Sequence, residues 1–161
     1  MPTTESQEAS RIIKTWWQAL EDMRGERAQL RRCKNVEQVL FVPYYQTLYW
    51  SLSNQSSWKN RIAIAAVAGL LAHVDTNPPP LTLPQQMAQS KPAGDKPVVS
   101  ELRFRRLVKC ETHEQLYPTL RRVILMLNRS VDIVQLAESV YWWNDKTRQD
   151  WAFQYYEQLL N

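Results

Sequence analysis

The chain has 161 residues, enough for one ordinary domain or two small helical bundles, and a 44% hydrophobic content that excludes a disordered tail. Three glycines (Gly25, Gly69, Gly94) exclude a Gly-rich phosphate loop and argue against a turn-rich β fold. The formal charge of +4 is unevenly spread: seven basic against three acidic residues from Arg11 to Lys34, seven against two from Arg103 to Arg129, and two against five from Ser130 to Asn161.

Apolar spacing predicts a first helix over about Gln7 to Met23, with Ile12, Ile13, Trp16, Trp17 and Leu20 on one stripe and Gly25 as a left-handed C-terminal cap. A short basic helix follows, Glu26 to Cys33, with Arg27, Arg31 and Lys34 along one edge and Arg32 on another. Pro43 opens a helix of aromatics that the Ser-rich stretch Ser51 to Ser57 interrupts. Ser57 is the expected N-cap of a buried helix, Trp58 to Val74. Its most apolar part, Ile62 to Ala72, is eleven residues long, too short to span a bilayer.

Six of the nine prolines lie between Pro78 and Pro97, including Pro78-Pro79-Pro80. That density of missing donors predicts a loop with at most one short turn, around Gln85 to Gln89. Ser100 then caps a helix with Phe104, Leu107 and Val108 inward. A further helix covers Glu114 to Leu127, with Pro118 placed in its first turn. Asp132 and Gln135 form a capping-box-like start for Ile133 to Trp143, and Asn144 precedes the last helix, Lys146 to Leu160. The expected fold is all-α and two-lobed: a small helical bundle over 1–76, a Pro-rich loop over 77–99 and a second bundle over 100–161.

Little in the chain points to catalysis. Cys33 and Cys110 lack CxxC spacing, His73 and His113 lack ligand partners at metal spacing, and no nucleophile-elbow, Walker or Rossmann pattern occurs. Glu21-Asp22, the only adjacent carboxylate pair, reads as solvated. No enzyme, metal or cofactor is expected, and the two free thiols with an N-terminus free of any apolar run point to a soluble cytoplasmic protein.

The positive signals are basic. With Leu116, Leu120, Val123, Ile124 and Leu127 inward, Arg122 points away from the core and Arg121 lies on the flank. On the preceding helix Arg106 faces out, with Arg103, Arg105 and Lys109 flanking. Such guanidinium groups can take phosphate oxygens in bidentate geometry, giving salt-dependent and largely sequence-independent binding. Ordinary solvated faces, or pairing with the acidic C-terminal segment, are the other readings. Trp142-Trp143 reads as core or subunit interface, with a base-stacking platform as the alternative, and Trp16-Trp17 likewise as core or interface.

The segment Arg24-Gly25-Glu26-Arg27-Ala28-Gln29-Leu30-Arg31-Arg32 resembles the RGxRAxLRR signature of the small subunit (CasB type) of type I-E Cascade, the RNA-guided CRISPR surveillance complex of bacteria. Glu101-Leu102-Arg103-Phe104-Arg105-Arg106-Leu107 is similar to that family's ExRFxxLL helix. The aromatic helix after Pro43, Leu120-Arg121-Arg122, Trp142-Trp143 and Asp150-Trp151-Ala152-Phe153-Gln154-Tyr155-Tyr156 follow in the family's order. One stretch departs: Thr82-Leu83-Pro84-Gln85-Gln86-Met87-Ala88 stands where the family carries something like SLGRALA.

The resemblance implies a two-lobed helical subunit without nuclease activity, present as two copies beside the backbone and large subunits of the assembly. It further implies contact with crRNA and target DNA, above all the displaced non-target strand, which a modest set of backbone contacts can hold open. Candidate contact residues are Arg27, Arg31, Arg32, Arg103, Arg106, Lys109, Arg121 and Arg122, with Lys59 and Lys146 at helix starts. The alternative is a purely structural bridging subunit whose arginines meet acidic protein surfaces.

Overall fold

The computed structural model describes residues 4–77 and 81–161, so Pro78-Pro79-Pro80 lies outside it. Among the described residues the fold is all-α, with ten α-helices and one 3-10 helix. They are α1 (Thr4–Ala19) with its 3-10 extension Leu20–Asp22, α2 (Arg24–Arg32), α3 (Val36–Val39), α4 (Pro43–Gln55) and α5 (Arg61–Leu71), then α6 (Leu83–Ala88), α7 (Glu101–Val108), α8 (His113–Met126), α9 (Ile133–Tyr141) and α10 (Asp145–Leu160). Buried apolar side chains from both halves form one hydrophobic cluster.

Short polar residues start most of these helices. Asn35, Asn60, Thr82, Ser100, Thr112, Asp132 and Asn144 each accept a backbone N–H of the first turn, contributing about 1 kcal/mol apiece. Thr82/Gln85 and Thr112/Gln115 are full capping boxes. Asp132 caps α9 without one, because Gln135 Oε1 accepts Leu83 N–H of α6 instead (2.6 Å).

Several boundaries differ from the sequence reading. Gly25 lies in the first turn of α2, and no described glycine has positive φ; the chain turns at Met23, whose N–H closes the 3-10 segment on Leu20 O (3.1 Å). The buried helix starts at Arg61 under Asn60, not at Ser57. Trp58 instead stacks on Tyr141 (4.1 Å), and the Tyr141 hydroxyl accepts Lys59 and Asn60 N–H at 3.0 and 3.2 Å, so α9 caps α5. In the Pro-rich stretch α6 forms regardless: Pro84 sits in its first turn, where the missing N–H costs nothing, and Leu83 and Met87 are fully buried where α6 packs on α10. Pro118 is the sixth residue of α8, beyond the first turn, where it removes one helical hydrogen bond. Beyond α8, Asn128 and Arg129 are both left-handed (φ 58° and 59°), and Arg129 N–H returns to Ile124 O (3.0 Å).

The centre is α5. Its residues from Ala63 to Leu71 are buried, and α3, α4, α8 and α9 pack around it. Small side chains permit that approach. A Cβ on Gly69 would lie 2.5 Å from the Tyr117 hydroxyl oxygen and 2.6 Å from its ring, and that buried hydroxyl donates to Cys33 O (3.2 Å). On the other side Trp16 stacks on Tyr44 (4.8 Å), Trp16 Nε1–H donates to Tyr44 O and the Tyr44 hydroxyl donates to Trp16 O, clamping α1 to α4.

The C-terminal ends of α2 and α5 meet α8 around the buried His73. Arg31 Nε–H donates to Ala72 O (2.6 Å) and its Nη2 pairs with Asp75 (2.7 Å). Arg121 donates to Cys33 O (3.1 Å), and Arg129 Nη1 lies 3.2 Å from His73 O and 3.4 Å from His73 Nδ1. Burial, followed by the charges of Arg129, Arg121 and Arg31, lowers the His73 pKa to about 4 against the opposing pull of Asp75.

Gly69→Ala is expected to displace Tyr117 and lower stability by about 1–3 kcal/mol in urea unfolding, outweighing the helix-propensity gain of about 0.5–1 kcal/mol. His73 binds its proton less readily folded than unfolded, so stability rises with pH between the folded value near 4 and the ordinary value of 6.5. Acidifying from pH 7 to 4 is expected to cost about 3 kcal/mol from this group. His73→Gln removes that part of the slope, and equal pH profiles for the two proteins would refute the assignment.

Candidate nucleic-acid interface

Helix α7 buries Phe104 and Leu107, which leaves Arg103 and Arg106 on its other side. Helix α8 buries Leu116, Leu120, Val123 and Ile124 and turns Arg122 outward. The two basic sides meet in a cleft of about 310 Å3 lined by Arg103, Arg106 and Arg122 with Thr119, Val123 and Met126. Arg103 Nη1 lies 3.5 Å from Met126 Sδ, and among the described residues no carboxylate comes within 4 Å of the three guanidinium groups. Three uncompensated cations repel one another, and an anion between them relieves that repulsion.

Residues of the segment 143–155, which runs into α10, bond to both ends of α7. The Tyr155 hydroxyl donates to Val99 O (2.7 Å) and its ring stacks on Phe104 (4.0 Å). At the other end Trp143 Nε1–H donates to Cys110 O and Arg148 Nε–H to Val108 O, each at 2.7 Å. A second cleft, of about 450 Å3, shares Arg103 and Met126 with the first and adds Lys91 and Lys96. Neither lysine emerges from helical periodicity; the doubled Lys-Pro pair, Lys91-Pro92 and Lys96-Pro97, is the one sequence signal that marks them.

The other predicted positions are distributed elsewhere. Arg31 and Arg121 join the His73 junction, half-buried and bonded to helix-end carbonyls. Arg27 is half-buried on α2, while Arg32 is exposed beside Cys33. Lys59 is exposed and precedes α5, and Lys109 ends α7 as its C-cap. Lys146 is exposed and pairs with Asp150 (2.9 Å). Among the described residues the acidic C-terminal segment pairs within its own helix, through Lys146–Asp150 and Arg148–Asp145, and not with the arginines of α7 and α8. Of the tryptophans, Trp16 and Trp143 are buried, Trp17 is partly buried with Nε1–H on Val74 O, and Trp142 is 52% exposed.

Burial pushes the pKa of both Cys33 and Cys110 upward, which disfavours the nucleophilic thiolate. His113 is tied through Nε2 to Val140 O (2.8 Å). Among the described residues no group of three or more His, Cys, Asp or Glu side chains is placed to hold a metal ion, and no helix is long and apolar enough to cross a membrane. What the two clefts present is positive charge.

Residues 26–156 match the family described as CRISPR-associated protein Cse2. Among curated proteins none matches in sequence. In structure the chain is similar to one chain of Escherichia coli Cascade bound to a PAM-containing double-stranded DNA target, with a TM-score of 0.68 and 17% identity over 93% of this chain and 95% of that one. At that identity the likeness speaks to the fold, while the family match covers the end of the first basic segment, all of the second and the α7–α8 cleft. The chain belongs to the CRISPR-associated protein Cse2 family, the small subunits of type I-E Cascade.

Proposed function

We infer that this Cascade component holds the backbone of a nucleic-acid strand, above all the displaced non-target strand, and stabilises the R-loop without catalysing a reaction. One observation carries the reading: Arg103, Arg106 and Arg122, from two helices, line one cleft with no carboxylate partner among the described residues. Fold stability does not account for three cations converging, since like charges in one cleft repel and no ion pair offsets that cost. Phosphate oxygens complete such a cleft, and the contacts carry no base information.

In this reading α7 and α8 form the primary contact surface. Arg32 and Arg27 of α2, Lys109 and Lys59 are supporting cations, while Arg31 and Arg121 position helix ends. The partners are the backbone and large subunits, a second copy of the chain, crRNA and target DNA, in the cytoplasm. Opening a duplex against a guide is nearly balanced in energy, so a few contacts of this kind shift it measurably.

A structural bridging role is favoured by a separate observation: Phe153 and Leu160, both about four-fifths exposed, lie on one stretch of α10. Such exposure fits a subunit interface and is compatible with strand holding.

Replacing Arg103, Arg106 and Arg122 together by Glu in the assembled complex is expected to weaken target-DNA retention by tenfold or more, on the order of three lost phosphate contacts over a 50–200 mM salt range. Far-UV circular dichroism should remain that of the parent chain. Retention unchanged at every salt concentration would rule out the strand-holding role.

A further inference from the structure

The loop 89–98 is a hydrogen-bonded hairpin that presents two cations. Lys91 N–H donates to Lys96 O (2.8 Å), Gly94 N–H to Lys91 O (3.2 Å) and Val98 N–H to Gln89 O (2.8 Å), with Ser90 bridged to Pro97. Pro92 and Pro97 follow the two lysines directly and restrict the backbone there. Both lysines are exposed, and among the described residues neither has a carboxylate within 4 Å.

They stand on the rim of the second cleft, where Arg103 completes the charged edge and Val98, Met126 and Leu159 supply apolar surface. Glu101 also lines this cleft, and its Oε2 is engaged by the Tyr156 hydroxyl (3.1 Å). Since Arg103 and Met126 belong to both clefts, the basic track of α7 and α8 runs on into this one.

A cationic rim over an apolar floor fits an unpaired nucleotide, with phosphates for the rim and a flat base face for the floor. A duplex offers the same phosphates but keeps its bases stacked, leaving the floor uncovered. An acidic peptide would satisfy the rim while holding hydrated carboxylates over apolar surface. We propose that this cleft is a nucleotide subsite in which Lys91, Lys96 and Arg103 hold the phosphates of a single strand and one base seats on Val98, Met126 and Leu159. The subsite rests on the strand-holding reading of the α7–α8 cleft and extends it to residues outside both helices.

The test is a salt titration of the full chain with fluorescein-labelled oligothymidine and with an abasic strand of equal length. The parent chain is expected to bind the thymidine strand about fivefold more tightly than the abasic one, the worth of covering roughly 40 Å2 of apolar surface. Lys91→Gln with Lys96→Gln removes two phosphate contacts, so the plot of log affinity against log salt should become shallower by about 1.4, at about 0.7 per contact for a single strand. An unchanged slope in this variant, with binding still lost on reversal of Arg103, Arg106 and Arg122, overturns the subsite and leaves the α7–α8 reading intact. Equal affinity of the parent chain for the two strands overturns the base seat. No binding by the parent chain, or no loss in either variant, overturns both readings.

Discussion

How closely other helices can approach α5 determines where the rest of the chain sits. A run of alanines with Gly69 gives this helix a surface with few projections, so α3, α4, α8 and α9 pack against it on several sides. At Gly69 the approach becomes a connection: the Tyr117 ring fills the space where a methyl group would stand, and its hydroxyl reaches Cys33 O at the end of α2. A larger α5 would push α8 outward and carry Arg122 with it. The cation cleft is therefore built on the smallest side chains in the molecule.

Two chemical groups stand out among the arginines. Arg31, Arg121, Arg129 and Arg148 donate to backbone carbonyls at or beyond helix C-termini, where unsatisfied oxygens and the helix dipole both favour a cation. Arg103, Arg106 and Arg122 have no such carbonyl and face the cleft. The first group locks helix to helix, and the second is left with donors for a ligand. Bidentate fork geometry makes guanidinium suited to both tasks, which is why one residue type serves both.

Much of this architecture was legible in the sequence where local chemistry decides. Apolar spacing located α1, α7 and α8, Pro43 opened α4, and Ser100 and Asp132 marked true helix starts. Long-range contacts decided the failures. Ser57 and Asn60 are both competent caps, and the stacking of Trp58 on Tyr141 from a distant helix selects Asn60. Counting prolines undervalued α6, since Pro84 in a first turn is harmless and Gln135 of α9 accepts its Leu83 N–H. At the clefts, periodicity separated Arg106 and Arg122 from the core and put Arg121 on the flank, but it could not show that Arg121 is spent on a carbonyl 88 positions away. The lysines of the hairpin at 89–98 escaped notice because a turn has no period.

The fastening of α7 by α10 also bears on the order in which the protein is made. Trp143, Arg148 and Tyr155 leave the ribosome after α7 and α8, yet they hold the carbonyls of Val99, Val108 and Cys110. Chain growth from the N-terminus leaves α7 without these anchors until the segment 143–155 has emerged. Until then the basic side of α7 is not yet held in place beside α8.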